Sequence, residues 1–139
     1  YDITPEHSDI QNYTELLPSK IFALDVFEHI PAEEIENIFS EHNIDIVSVK
    51  EVDNYNDFDG LASLVSICDF VITSSNVTAH LSGALNKKTY LLLPHSHGKI
   101  WYWGTSGNSS LWYPSIHIFR CKTPDNWQGV IKELWSALK

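Results

Sequence analysis

A chain of 139 residues is long enough to bury the core of one domain. Its formal net charge of −9 argues against a nucleic-acid partner, which calls for clustered Lys and Arg. No apolar run approaches the ~20 residues that span a bilayer, and no signal peptide is visible.

The chain begins at Tyr1 and has no methionine, so it reads as a processed or excised piece. Its two cysteines, Cys68 and Cys121, each lie beside a predicted strand. Reduced core thiols, rather than a disulfide, are therefore expected, which fits a cytoplasmic setting. The charge is uneven. Residues 1–59 carry fifteen acids against Lys20 and Lys50, and residues 60–139 carry three acids against seven bases. The acidic half reads as a solvated face, while the mildly basic half can accept a small anionic ligand.

Residues 1–19 have no sustained period and read as a lead-in arm. Lys20 to Val26 is a predicted strand. Pro31 suits the first position of a helix, with Glu33 and Glu34 in its positive first turn, and that helix ends near His42 and Asn43. Ile44 to Val49 is the second strand. Asp57 or Asp59 caps a helix whose Leu61, Leu64, Val65 and Cys68 recur at helical spacing.

Asp69 to Thr73 is a short β-branched apolar run, which predicts a strand covered on both faces. Ser74, Ser75 and Asn76 follow with turn and N-cap chemistry, Asn76 being the preferred cap. Val77, Leu81, Ala84 and Leu85 would form the buried stripe of the next helix, and Gly83 permits close packing. Such a helix start at the carboxyl edge of a sheet presents unpaired N–H groups and a positive dipole end, which suit phosphate. An ordinary strand–helix joint gives the same pattern, since no Gly-rich fingerprint is present.

Thr89 to Leu93 is the fourth strand, stopped by Pro94. Residues 95–115 are the least regular part and hold Trp101, Tyr102, Trp103, Trp112 and Tyr113. They suit an aromatic cover over apolar surface. They equally suit a platform that stacks on a base or a sugar, where Trp101, Trp103, Trp112 and Tyr113 are the candidates. His95 and His97 alone are too few for a metal site. Ile116 to Phe119 is the fifth strand. Thr123 is placed to cap the last helix, with Pro124 at its first position and Trp127, Val130, Ile131, Leu134 and Leu138 on its buried face. Strands alternating with helices predict an α/β fold: a mainly parallel sheet of about five strands with helices on both faces.

The stretch from Asp69 through Asn76, His80, Gly83 and Leu85 to Pro94 resembles the nucleotide-sugar-binding segment of heptosyltransferase-like glycosyltransferases, the ADP-heptose:LPS family (glycosyltransferase family 9). It is most similar to the subgroup linked to tetratricopeptide repeats. Trp101-Tyr102-Trp103 and Leu111 to Arg120 are similar to further segments of that subgroup. Ser75 stands where an Asp is common, Asn86 where a Gly is, Lys88 where a Pro is, and Tyr102 and His117 where Arg is. The likeness covers residues 57 to 139 by motif and 20 to 56 by architecture.

The resemblance implies a Rossmann-like domain over residues 20–139, the carboxyl-terminal half of a GT-B fold. It implies a nucleotide-sugar donor, and a glycan or other acceptor held by an amino-terminal domain outside this chain. It implies that Ser74, Ser75, Asn76, Val77, Thr78 and His80 receive the donor diphosphate. Lys87 and Lys99 would compensate charge, and no metal or other cofactor would take part. His80 would either donate to phosphate or brace the turn. No residue stands out as the catalytic base, Asp25 being the best local carboxylate. A non-catalytic ligand-binding or interaction module on the same fold is the alternative.

Overall fold

The computed structural model describes residues 20–23, 40, 45–48, 52–53, 56–95, 101–124 and 126–138. Contacts divide the chain into two units, residues 1–57 and 58–139. In the first unit, β1 (Lys20–Ala23) and β2 (Asp45–Ser48) pair in parallel, with Lys20 opposite Asp45 and Ala23 opposite Ser48. A parallel pair requires a crossover. Of the helix expected there, only Ser40 is described, and it is helical. The arm at 1–19 and Asp25 lie outside the described residues.

The second unit runs α1 (Phe58–Ile67), β3 (Val71–Thr73), α2 (Val77–Ala84), β4 (Thr89–Leu93), a 3-10 turn (Trp101–Trp103), β5 (Ile116–Arg120) and α3 (Trp127–Leu138). Its three strands are all parallel in the order β3-β4-β5. The α/β class therefore holds. The described strands nevertheless form a two-stranded ladder and a three-stranded sheet, and a single sheet of five is not seen among the described residues.

The period of two along β4 builds two cores. Leu91 and Leu93 point to one face, where they cluster with Ala79 of α2, Trp103, Ile116 and Ile118, flanked by Tyr102 and Tyr113. Tyr90 packs on the other face with Phe119, Cys121 and the α3 residues Val130 and Leu134, flanked by Phe70, Leu92, Trp127 and Leu138. The register sets Leu91 against Ile118 and Leu92 against Phe119, so both faces of the central strand are covered. Each fully buried residue such as Leu91 or Ile118 contributes about 1.5–3 kcal/mol. The outer edge of β5 is covered as well. The Ile118 amide donates to the Asn108 carbonyl at 2.7 Å, beside an antiparallel bridge between Ser109 and His117.

Three local expectations need correction. First, α2 does not bury Val77, Leu81, Ala84 and Leu85. Its buried residues are Ala79, Ser82 and Gly83, and Val77 is 53 % exposed. The helix packs through its small residues because Tyr113 lies directly on Gly83. A Cβ built there would sit 2.4 Å from Tyr113 Cγ. Second, β3 is not covered on both faces, since Ile72 is 41 % exposed. Third, α3 starts at Trp127, and Asn126, not Thr123, occupies its cap. The Asn126 Oδ1 accepts from the Gly129 amide at 3.2 Å.

The turn that ends α2 explains Asn86. The Asn86 amide donates to the Gly83 carbonyl at 3.0 Å, and the Lys87 amide to the Ser82 carbonyl at 2.9 Å. This is a Schellman closure, which places Asn86 in the left-handed region at φ 53°. Asparagine is the non-glycine residue that most readily accepts that conformation.

Candidate functional site

The carboxyl ends of β3, β4 and β5 meet the start of α2 and the aromatic loop. Thr73 closes β3, Ser74 and Ser75 turn the chain, and Asn76 caps α2 in an extended conformation (φ −152°, ψ −176°). Its Oδ1 accepts from the Ala79 amide at 3.1 Å, and its Nδ2 donates to Thr73 Oγ1 at 3.0 Å. The cap is therefore held from both sides. The amides of Val77 and Thr78, in the first turn, have no acceptor within the helix. They stand at its positive end. Ser74, Asn76 and Val77 are exposed there, and Ser75 and Thr78 are half-buried.

The aromatic loop braces this turn. Trp103, only 2 % exposed, donates its indole N–H to Ser75 Oγ at 2.9 Å. Its carbonyl accepts from Arg120 Nη2 at 2.6 Å, and Arg120 Nε donates to the Gly107 carbonyl at 3.0 Å. Burial pulls the Arg120 pKa below its usual value, yet an arginine remains charged at neutral pH. A guanidinium at the end of β5 thus ties both ends of the 103–107 segment to the sheet. Gly104 and Gly107 supply the positive φ angles, 72° and 83°, that this segment turns on.

His80 sits inside the same aromatic group. Its ring stacks on Trp103 at 4.8 Å between centroids and 24° between planes, and meets Tyr102 edge-on at 4.9 Å. Its Nδ1 lies 3.2 Å from the Tyr113 hydroxyl. Of the two roles open to it, these contacts fit bracing of the turn. Tyr113 is set in turn by Ser110, whose buried hydroxyl accepts from the Trp112 and Tyr113 amides at 3.2 Å each.

The sequence-derived candidates therefore divide into groups. Ser74, Ser75, Asn76, Val77, Thr78, His80, Trp103 and Tyr113 come together around the α2 start. Trp101 and Trp112 are 78 % and 61 % exposed and present their rings to solvent. Lys87 is elsewhere. Its Nζ donates to the carbonyls of Ser66 at 3.0 Å and Cys68 at 2.8 Å. It caps the end of α1 beside the amino end of β3, the far edge from Asn76. Its ammonium also acts on Cys68, whose thiol is pushed above its ordinary pKa chiefly by burial, with Lys87 opposing and Asp69 adding to the rise. Lys99 and His97 lie outside the described residues. Among the described residues no group of three or more His, Cys, Asp or Glu is placed to hold a metal ion, and no helix is long and apolar enough to cross a membrane.

Thr73, Arg120 and Ser110 also shape the site, and the motif reading did not single them out. Thr73 carried a usable signal, because a hydroxyl three residues before an Asn cap is within side-chain reach of it. Arg120 and Ser110 act on partners fixed only by the folded loop.

Two comparisons with known proteins return nothing: no protein-family model and no solved structure matches the chain. Among curated proteins it is similar to Protein FlbA of Caulobacter vibrioides, at 29 % identity over 108 residues. The match takes in 77 % of this chain and 17 % of that protein, so the chain spans well under a quarter of its relative's length.

Proposed function

We propose that this chain is the donor-binding half of a GT-B glycosyltransferase, acting on a nucleoside-diphosphate sugar. The observation that carries the reading is the start of α2. It is a braced helix N-terminus at the carboxyl edge of a parallel sheet, the place where α/β folds receive phosphate. The Val77 and Thr78 amides and the Thr78 hydroxyl take the diphosphate. As the sugar departs, negative charge grows on the leaving phosphate, and donors already fixed in place favour that transition state. The Asn76–Thr73 pair and the Trp103–Ser75 bond fix them. Trp101 and Trp112 offer exposed ring faces for a base or a sugar. Acceptor binding and the general base belong to a further domain of the longer protein, and transfer requires both halves.

One specific observation favours a second reading, a ligand-binding module of the same fold without transfer activity. Ser75 and Asn76 spend their side chains on Trp103 and on the cap. Lys87 is tied to the opposite edge, and Arg120 to loop carbonyls. The anion site then rests on backbone amides and the helix dipole.

The test is thermal stability of the chain against UDP, GDP, ADP and CMP sugars. A ligand that binds only the folded state at ~100 times its dissociation constant adds about 2.7 kcal/mol. A selective rise with one nucleotide, abolished by Asn76→Ala, supports donor binding. Assay of the longer protein for transfer then separates the two readings. Equal rises with all four nucleotides, or a rise that survives Asn76→Ala, count against a donor site at this turn.

A further inference from the structure

Residues 101–119 contain no Asp, Glu, Lys or Arg, in a chain that is 19 % charged. Within this uncharged segment Trp103 is buried, while Trp101 and Trp112 stand out in solvent at 78 % and 61 % exposure. We propose that Trp101 and Trp112 are stacking platforms for a neutral sugar of a glycan, which rests on the stacking role given above to these rings and not on the diphosphate seat at the α2 start.

The exposed rings ride on a fixed backbone. Trp101 opens the 3-10 turn, and its carbonyl accepts from the Gly104 amide at 3.0 Å. Its ring meets Tyr102 edge-on at 5.7 Å, and Tyr102 meets the buried Trp103 edge-on at 5.1 Å. The Trp112 amide donates to the buried Ser110 hydroxyl at 3.2 Å. Its neighbour Tyr113 is seated on Gly83. Both indoles are thus held outward by anchored chain. A tryptophan kept in water forgoes its hydrophobic burial, and exposed apolar surface of this kind marks a place where a ligand or partner lands.

The lack of charge selects the ligand. The nearest charges in sequence are Lys99, outside the described residues, and Arg120. The Arg120 Nε and Nη2 are turned to the Gly107 and Trp103 carbonyls. A nucleotide base brings phosphate within a few bonds, an anionic lipid brings phosphate, and an acidic peptide brings carboxylates. Each of these calls for cations beside the rings. A neutral sugar calls for none. Its C–H face matches an indole face in shape and polarity.

The stretch between the two rings fits the same ligand. Thr105, Ser106, Asn108 and Ser109 are exposed. Such groups are ordinary surface by themselves. Flanked by two indoles, they supply uncharged hydroxyls and an amide that both donate and accept, as sugar hydroxyls require. The core of a protein interface is instead depleted in serine.

The test is an NMR titration of the chain, read at indole and backbone N–H groups. The probes are methyl glucoside, methyl galactoside and diacetylchitobiose, with uridine monophosphate run separately. At least one sugar should move the Trp101 and Trp112 indole N–H groups saturably at millimolar concentration, together with the Thr105 and Asn108 amides. The Ala79 and Leu91 amides should stay in place and report an intact fold. Trp101→Leu and Trp112→Leu keep an apolar side chain without a flat face, and each should weaken binding about five-fold. Trp101→Tyr and Trp112→Tyr should restore most of it, a rescue that loss of bulk alone would not give. These sugars carry no phosphate, so their result stands whether or not the α2 start binds a diphosphate, and the two sites can fail separately. Three results would each overturn the proposal: no saturable movement of the two indoles with any of the sugars, binding undiminished in both leucine variants, or uridine monophosphate moving the indoles as readily as a sugar, which would give the rings to a base.

Discussion

Gly83 and Ser82 are neighbours on one helix with opposite expected responses to alanine. At Gly83 a methyl gains helix propensity, worth about 1 kcal/mol. It also meets three Tyr113 atoms inside 3.0 Å, the Cβ among them. The base of the side chain has no room to yield, and overpacking of this kind costs about 1–3 kcal/mol. The three close contacts put the clash at the upper part of that range, so Gly83→Ala should lower the denaturant midpoint, with a net loss of up to about 2 kcal/mol of stability. Ser82 is fully buried, and its hydroxyl has no partner. Ser82→Ala removes that desolvated group and improves helix propensity, so it should raise stability by about 1 kcal/mol. Urea unfolding of the two variants checks both signs.

Cys68 gives a pH signature at the same scale. Burial holds its pKa above the ordinary value, so the folded state retains the proton longer than the unfolded chain. Its contribution is complete below the unfolded value of about 8.5 and is lost as pH rises through the folded pKa. Cys68→Ser should flatten the alkaline limb of a stability-versus-pH curve. An unchanged limb in that variant would refute the assignment.

The aromatic loop is held as an element mainly by Arg120, which donates to two loop carbonyls. Arg120→Met keeps the stem and removes both bonds. Charge-assisted bonds of this kind contribute about 1.5–3 kcal/mol each. The variant should be destabilised and should speed exchange of the Gly104 amide, which bonds to the Trp101 carbonyl at 3.0 Å. Protection of Gly104 equal to wild type would show that the loop does not depend on the guanidinium.

Element scale is also where the reach of the sequence is plain. The Asn76 cap and the strand from Thr89 to Leu93 were legible, because cap chemistry and a buried β-branched or apolar run are local signals. The buried face of α2 was not. Its apolar residues point one way, but the decisive contact is Tyr113 on Gly83, 30 residues apart in the chain. A permissive glycine could be read there without its partner. The α3 cap was misplaced by one turn, because Thr123-Pro124 and Asn126 both fit the start of a helix and only packing of Trp127 and Val130 selects the second. Lys87 shows the same limit. The family resemblance implies a charge-compensating role for it, while the fold turns its ammonium to the Ser66 and Cys68 carbonyls at the end of α1. Asn86, Lys88 and His117, three positions where the sequence departs from the pattern it resembles, line one cleft.

At the scale of the whole molecule, the second unit is a three-stranded parallel sheet with helices on both faces and two unlike edges. The carboxyl edge carries a capped helix start braced by aromatics. The amino edge carries the cleft lined by Asn86, Lys88 and His117. A nucleotide-sugar diphosphate is proposed to seat on the α2 start. The most direct check is the 15N spectrum of the chain titrated with each of UDP, GDP, ADP and CMP sugars. Saturable movement of the Ser75, Val77, Thr78 and Ala79 amides is expected with one nucleotide class, together with movement of the Trp103 indole N–H that bonds to Ser75. Nucleotide-sugar perturbations confined to the amino edge, or none at the α2 start with any of the four, would contradict it.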